Sequence, residues 1–458
     1  MSSRSWTCSS AASRIPTRSP LSTTASRRAR SRTASSARPW PPSPTGVTRG
    51  RSVPGGERAR SWRPRRHRPG RPGRADRAAS GLALPLGSAP RRAAMTRART
   101  LVILAALLCG AGSALAEERP AHHAEEGFRN PHAELPHGGA GTSFLRARFG
   151  SGPWPGHDPD SYTVPTATPD PVPAGGHTDN ARVTWIGHST VLIQHRGANL
   201  LTDPILSPFA SPLRFAGPRR ISEPALALEE LPPIDAVVIS HNHYDHLDAP
   251  TIEGLGNGPR YVVPLGLAEW LERRGIRRER ILEFDWWDEL ELETRGGPLR
   301  ITATPSQHFS GRSLTDRDET LWAAWAIEWP DWKAWFGGDT GYNEVQFREI
   351  GRRFGGFDLG IIPIGAYLPR WFMKTVHVNP SEAVKIHRDI AARSSLGVHW
   401  GTFVLSQEAS YQPPEDLRRA TREAGLAEGA FVTFRVGETR SYPPASVAAP
   451  GGALSASR

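Results

Sequence analysis

The segment His241-Asn242-His243-Tyr244-Asp245-His246 follows directly on the apolar run Ala236-Val237-Val238-Ile239-Ser240. Three imidazoles and a carboxylate at the end of a strand are too many polar groups for a packed core, because each buried polar group needs a partner. Alternate residues of an extended segment point the same way. His241 and His243 can therefore share one metal ion, while Asp245 and His246 turn toward a second. Read alone, the segment also fits a polar surface loop rich in His.

Three further candidates each follow an apolar run: His308 after Ile301 to Gln307, Asp339 after Ala334 to Gly338, and His399 after Leu396-Gly397-Val398. Their order and context resemble the metallo-β-lactamase superfamily, which implies an α/β fold, a four-layer αβ/βα sandwich with its motifs on loops at one edge. The resemblance implies that His241, His243 and His308 hold one metal, that Asp245, His246 and His399 hold another, and that Asp339 bridges them. Nitrogen and oxygen ligands of this kind suit two zinc ions, with iron or manganese as alternatives.

A narrower likeness runs over residues 127 to 425. It is carried by Gly127-Phe-Arg-Asn-Pro131, Trp185-Ile-Gly-His188, Thr202-Asp203-Pro204, Gln307-His308-Phe-Ser-Gly-Arg312, Gly338-Asp339-Thr-Gly-Tyr342, Ile364-Gly-Ala-Tyr367, Arg370-Trp-Phe-Met-Lys374, His377-Val378 and His399-Trp-Gly-Thr-Phe403. These segments resemble the N-acyl-phosphatidylethanolamine-hydrolysing phospholipase D group and its bacterial relatives. The implied activity is hydrolysis of a phosphodiester in an N-acylated or ordinary glycerophospholipid.

The first 94 residues stand apart. They hold 21 Arg, no Lys and 2 acidic residues, a net +19 in a chain whose total is +12, so the remainder carries −7. An Arg-, Ser- and Pro-rich arm of that kind would be disordered and could bind nucleic acid or acidic lipid. The preferred reading is that translation starts at Met95, with no nucleic-acid partner. A basic start at residues 96–99, an apolar run from Leu101 to Leu108 and Ala114-Leu115-Ala116 form a signal-peptide pattern over 95–116. It predicts a periplasmic or secreted protein, or a cytoplasmic one if the signal is not used. Both cysteines, Cys8 and Cys109, precede the cleavage point. Chemistry in the remaining chain must then come from His, carboxylate and water.

Residues 117–180, rich in Pro, Gly and His, are expected as an extended arm, where His122, His123, His132 and His137 could scavenge metal but are expected in a solvated tract. The hydrolase domain is expected over 181–440 and a disordered tail over 441–458. Short apolar strands alternate there with helices at 266–275, 347–354 and 381–392, the last with Asn379 and Pro380 at its start, as an α/β sandwich requires. Most of Trp322, Trp325, Trp329, Trp332 and Trp335 are expected inside the sandwich.

Other residues carry expectations for catalysis. Two cations about 3.5–4 Å apart lower the pKa of a bridging water to give hydroxide at neutral pH. Asp245 would orient it, and His377, beside the helix start at Val378-Asn379-Pro380, would touch the phosphate or protonate the leaving group. Asp203 is expected behind the ligands, fixing an imidazole or the His-x-His backbone. His188 and Tyr367 are candidates for substrate contact. So are Trp371, Phe372 and Met373 for an acyl chain, with Pro208 to Phe215 as a second apolar loop for local membrane contact. The same ligand set would equally serve a lactone, a cyclic nucleotide or another small phosphodiester.

Overall fold

The computed structural model describes residues 119–133, 161–173, 175–313 and 315–443, all within the compact unit Met95–Arg458. The leader, the signal pattern, His137 and residues 444–458 lie outside the described residues. The strands are β1 (Ala181–Gly187), β2 (Thr190–His195), β3 (Ala198–Thr202), β4 (Ala236–Val238), β5 (Arg260–Pro264), β6 (Ile281–Phe284) and β7 (Glu289–Thr294). They continue with β8 (Gly297–Thr304), β9 (Ala324–Trp329), β10 (Trp332–Phe336), β11 (Phe357–Pro363), β12 (Ala392–Val398), β13 (Phe431–Thr433) and β14 (Thr439–Tyr442). The helices are α1 (Ala249–Leu255), α2 (Ala268–Glu272), α3 (Glu344–Phe354), α4 (Arg370–Met373), α5 (Pro380–Asp389) and α6 (Gln412–Glu423).

Two seven-stranded sheets result, in the orders β14-β1-β2-β3-β4-β5-β6 and β13-β12-β11-β10-β9-β8-β7. Each begins with an antiparallel meander, β1-β2-β3 in one and β7-β8-β9-β10 in the other. Each then continues in parallel, through β4-β5-β6 and through β11-β12-β13. The parallel strands β4, β5 and β11 are nearly all buried residues, as strands covered on both faces must be. Helices α1 and α2 cover the outer face of the first sheet through Ile252, Ala268 and Leu271. Helices α3, α5 and α6 cover the second. The four layers are those implied by the resemblance.

The core is rich in indole. Trp185, Trp322, Trp325, Trp329, Trp332 and Trp335 are all buried, Trp335 against Phe347 of α3, so the Trp series packs the sandwich and offers no lipid platform. Several of the buried indole N–H groups find partners: Trp325 Nε1 donates to the Ile239 carbonyl at 3.0 Å, Trp322 Nε1 to that of Ser306 at 3.0 Å and Trp335 Nε1 to the Thr304 hydroxyl at 3.1 Å.

Helix α5 starts where the sequence predicts. The Asn379 side chain accepts from the Glu382 N–H, Glu382 reaches back to the Asn379 N–H, and Pro380 takes the first turn. Its end differs from the 381–392 expectation. The chain turns at Ala391 with φ +53°, and Ala392 already pairs with Phe357 in β12. The expected strand through Ser240 also ends early, at Val238, because the Ser240 N–H is taken by the Asp203 carboxylate.

The Pro-, Gly- and His-rich segment is only in part a solvated tract over residues 119–133. His132 is exposed, but the segment forms a small hairpin with a bridge between His123 and Phe128, and His122 is buried. Helix lengths among the described residues are all too short and polar to cross a membrane.

Candidate metal centre

Three strand exits bring left-handed backbone to the same edge of the sandwich: His188 at φ +53°, Asp203 at φ +32° and His399 at φ +62°. Non-glycine residues adopt this conformation only where surrounding contacts hold it, and such strain gathers at functional sites. Gly338, at φ +55°, leads into Asp339. A Cβ there would stand 2.4 Å from the Ser240 Cβ, so only glycine lets this turn pass beneath the His-rich loop.

His241, His243 and His308 form one cluster. His241 Nε2 lies 2.8 Å from His243 Nδ1, which lies 3.2 Å from His308 Nε2. The far side of His308 is fixed by Nδ1 donating to the Val376 carbonyl at 2.9 Å, which leaves Nε2 with its lone pair toward its neighbours. His241 is held behind by the Ser240 hydroxyl.

The second cluster surrounds two carboxylate oxygens. His246 Nε2 is 3.3 Å from Asp245 Oδ2 and 3.2 Å from Asp339 Oδ2; His399 Nε2 is 3.4 and 3.1 Å from the same atoms. Asp339 Oδ2 is also 4.0 Å from His241 Nε2 and 3.8 Å from His308 Nε2, so it stands between the clusters. Asp203, fully buried, accepts the Nδ1–H of His246 at 2.7 Å and the backbone N–H of Ser240 at 2.6 Å.

The donor set fits divalent cations. His246 Nε2, His399 Nε2 and Asp339 Oδ1 are buried without a hydrogen-bond partner, although carboxylate oxygens lie within 3.4 Å of both nitrogens. Buried polar atoms that converge without bonding one another are aimed at a shared point. A tetrahedral site with 2.0–2.1 Å bonds needs ligand atoms about 3.3 Å apart, close to the separations seen. Burial disfavours a charged ring at His246 and His399, but without a cation Asp339 and Asp245 outweigh it. They hold His246 well above the usual imidazole range and His399 up to about 9, so metal binding there would displace a proton from each ring. Burial pushes the Asp339 carboxyl up, but His246, His399 and His377 outweigh it and hold it well below the usual carboxylate range. Burial pushes His243 down to about 4 and His308 down to about 3, so both are neutral ligands at pH 7.

His188 is not at the mouth of the site. It is buried, with Nε2 2.9 Å from Asp245 Oδ2 and its ring 4.1 Å from that of His399, so it orients Asp245 instead of meeting substrate. His377 is buried with Nδ1 unpartnered and 3.9 Å from Asp339 Oδ2, which places it at the centre. Tyr367 is directed elsewhere: its hydroxyl is held by Asp416 on α6. On α4, Trp371 is half exposed, Phe372 partly buried and Met373 buried, so Trp371 is the most exposed of the three side chains. Arg220, close after the apolar loop Pro208 to Phe215, is buried and donates to the Ile205 and Ser207 carbonyls, so it offers no cation beside that loop.

Sequence reading missed one positioning residue. Arg312 is largely buried beneath the His-rich loop, donating to the carbonyls of Asn242 at 2.6 Å and Leu247 at 2.8 Å. Its guanidinium lies 4.0 Å from the Tyr244 ring and 4.9 Å from that of Trp270. The clue was its place four residues after His308, at the end of the Phe309-Ser310-Gly311 run.

Comparison with known proteins agrees with this geometry. A family model described as the beta-lactamase superfamily domain matches residues 198–400. The chain is 41% identical over 263 residues to N-acyl-phosphatidylethanolamine-hydrolyzing phospholipase D 1 of Caenorhabditis elegans, covering 56% of this chain and 74% of that protein. It is 42% identical over 262 residues to an uncharacterized protein of Mycobacterium tuberculosis, covering 56% and 68%. The mitochondrial N-acyl-phosphatidylethanolamine-hydrolyzing phospholipase D of Saccharomyces cerevisiae is 36% identical over 263 residues, covering 57% of this chain and 55% of the yeast protein. The chain belongs to the metallo-β-lactamase superfamily, in its N-acyl-phosphatidylethanolamine-hydrolysing phospholipase D-like branch, and is a metal-dependent hydrolase of the phospholipase D type.

Proposed function

We propose that this protein hydrolyses the phosphodiester of N-acyl-phosphatidylethanolamine, or of a closely related glycerophospholipid, on the head-group side. Two zinc ions would be held, one by His241, His243 and His308, the other by Asp245, His246 and His399, with Asp339 shared. The observation that carries the reading is the convergence of both clusters on Asp339 Oδ2, at 3.1–3.2 Å on one side and 3.8–4.0 Å on the other. Bound there, the cations would offset charge on the phosphoryl oxygens and lower the pKa of a water between them.

The protein's own groups then have distinct tasks. Asp245, oriented by His188 at 2.9 Å, directs the attacking water. The water oxygen joins phosphorus, the P–O bond to the ethanolamine side breaks, and the departing alkoxide takes up a proton. His377 is neutral at pH 7, since burial pushes it down to about 3, and its unpartnered Nδ1 faces the centre. It hydrogen-bonds a phosphoryl or leaving oxygen, with water supplying the proton. No nucleophilic side chain is needed.

Leu213 and Phe215 on one loop and Trp371 on α4 are exposed apolar side chains, which supports local contact with a lipid surface. A net-negative body after Ala94 gives no broad attraction to anionic membrane, so such contact would be apolar. The signal pattern from Met95 supports a periplasmic or secreted site of action.

The test is product analysis after incubating zinc-loaded protein with N-acyl-phosphatidylethanolamine in mixed micelles. Phosphatidic acid and N-acylethanolamine are expected, and neither from Asp339→Asn. Intact lipid with both metals bound would overturn the substrate assignment.

A further inference from the structure

The hairpin at residues 119–133 carries two adjacent imidazoles, those of His122 and His123, that the hydrolytic centre does not use. His122 Nε2 lies 2.6 Å from Asp285 Oδ1, and His123 Nε2 lies 2.7 Å from Asp285 Oδ2. Each ring thus presents the same nitrogen to one carboxylate, and the three ligand atoms fall within 4.8 Å of one another. The two rings meet edge to face, with centroids 4.6 Å apart at 72°. That is the arrangement of the ligand pairs in the centre itself, where His241 and His243 are 4.4 Å apart at 81° and His241 and His308 are 4.6 Å apart at 75°.

The surroundings suit a bound cation. His122 is buried and stacks on Trp286 at 4.1 Å, and His123 packs its ring edge-to-face with Phe128 at 5.1 Å. An apolar shell limits competition from water for the ligand atoms. Asp285 Oδ1 also accepts the Trp286 N–H at 2.7 Å, which fixes the carboxylate before any ion arrives. Its side chain and that of His123 remain about a quarter exposed, leaving an open side for water as a fourth ligand. Ligand atoms around a tetrahedral ion stand about 3.3 Å apart, so each ring need draw back from the carboxylate by only about 0.6–0.7 Å.

We propose that His122, His123 and Asp285 form a third divalent-metal site, separate from the hydrolytic pair and suited to zinc or a similar ion that takes nitrogen and oxygen ligands. Its role is structural. The hairpin it fastens continues to Gly127, at φ +67°, where a Cβ would stand 2.2 Å from the Asp318 carbonyl, and Phe128 N–H donates to that carbonyl at 2.8 Å. It then reaches Asn130, whose Nδ2 donates to the His308 carbonyl at 2.7 Å. An ion at Asp285 therefore clamps one end of a hairpin whose other end steadies the backbone of a residue in the first cluster.

Zinc content of the purified full chain, measured by plasma mass spectrometry after gel filtration and by competition with a chromophoric chelator, tests this site. The wild-type protein should hold one more equivalent than His123→Ala. A His243→Ala/Asp339→Asn protein should keep an equivalent that disappears when His123→Ala is added. If His123→Ala does not fold by circular dichroism, Asp285→Asn replaces it: the amide keeps the size and one acceptor oxygen but loses the charge. Loss of the equivalent supports the site. Equal zinc content in folded wild-type and variant proteins, or an extra equivalent bound only at millimolar zinc, overturns it.

Discussion

Asp203 accepts the Nδ1–H of His246 at 2.7 Å and so turns the opposite nitrogen of that ring toward Asp339, 3.2 Å away. The same carboxylate takes the Ser240 N–H and hydroxyl, and Ser240 in turn holds His241. One buried aspartate therefore sets the tautomer of an imidazole in each cluster. Asp203→Asn should lower metal affinity by about 10- to 100-fold, the usual cost of losing an outer partner of a ligand. Residual metal after dialysis against a chelator measures it. Unchanged affinity would mean that His246 is positioned by its neighbours alone.

Arg312 supports the His-rich loop from below. Its Nη1 donates to two carbonyls five residues apart, and its guanidinium lies 4.0 Å from the Tyr244 ring and 4.9 Å from that of Trp270. A lysine ammonium could reach the carbonyls but has no planar face to lay against those rings. Arg312→Lys should destabilise by about 0.5–2 kcal/mol, the worth of a desolvated cation–π contact. It should also reduce kcat more than a matched destabilisation elsewhere. Urea unfolding and turnover measured on one preparation decide this, and wild-type values of both would refute the role.

Lipid contact should be separable from hydrolysis. Trp371→Ala and Phe215→Asp remove exposed apolar rings outside the ligand clusters. KM for micellar substrate should rise by up to about tenfold, in keeping with the loss of part of a buried aromatic contact. Turnover of a soluble phosphodiester should stay as in the wild type. Equal losses on both substrates would place these rings in the structure of the site.

The centre was legible because its ligands stand at strand exits, where an apolar run gives way abruptly to His or Asp. Four such segments far apart in sequence, with seven ligands between them, converge, and the left-handed turns at His188, Asp203 and His399 mark the same edge. What a linear reading loses is partnership across distance. Tyr367 looks available until Asp416, 49 residues later, takes its hydroxyl. His122 and His123 look solvated until Asp285, more than 160 residues on, receives them. Strand β7 escaped notice although Glu289-Leu-Glu-Leu-Glu-Thr alternates strictly, with its glutamates outward. Short β13 and β14 lack any periodicity of their own, and they are strands because neighbours offer them hydrogen bonds.

The central claim is that water attacks phosphorus and the head group leaves. Hydrolysis of N-acyl-phosphatidylethanolamine in oxygen-18 water, followed by mass spectrometry of both products, tests it most directly. One label should appear in phosphatidic acid and none in N-acylethanolamine. Label in the N-acylethanolamine would show attack at carbon, and unlabelled lipid with no turnover by the metal-loaded protein would contradict the account outright.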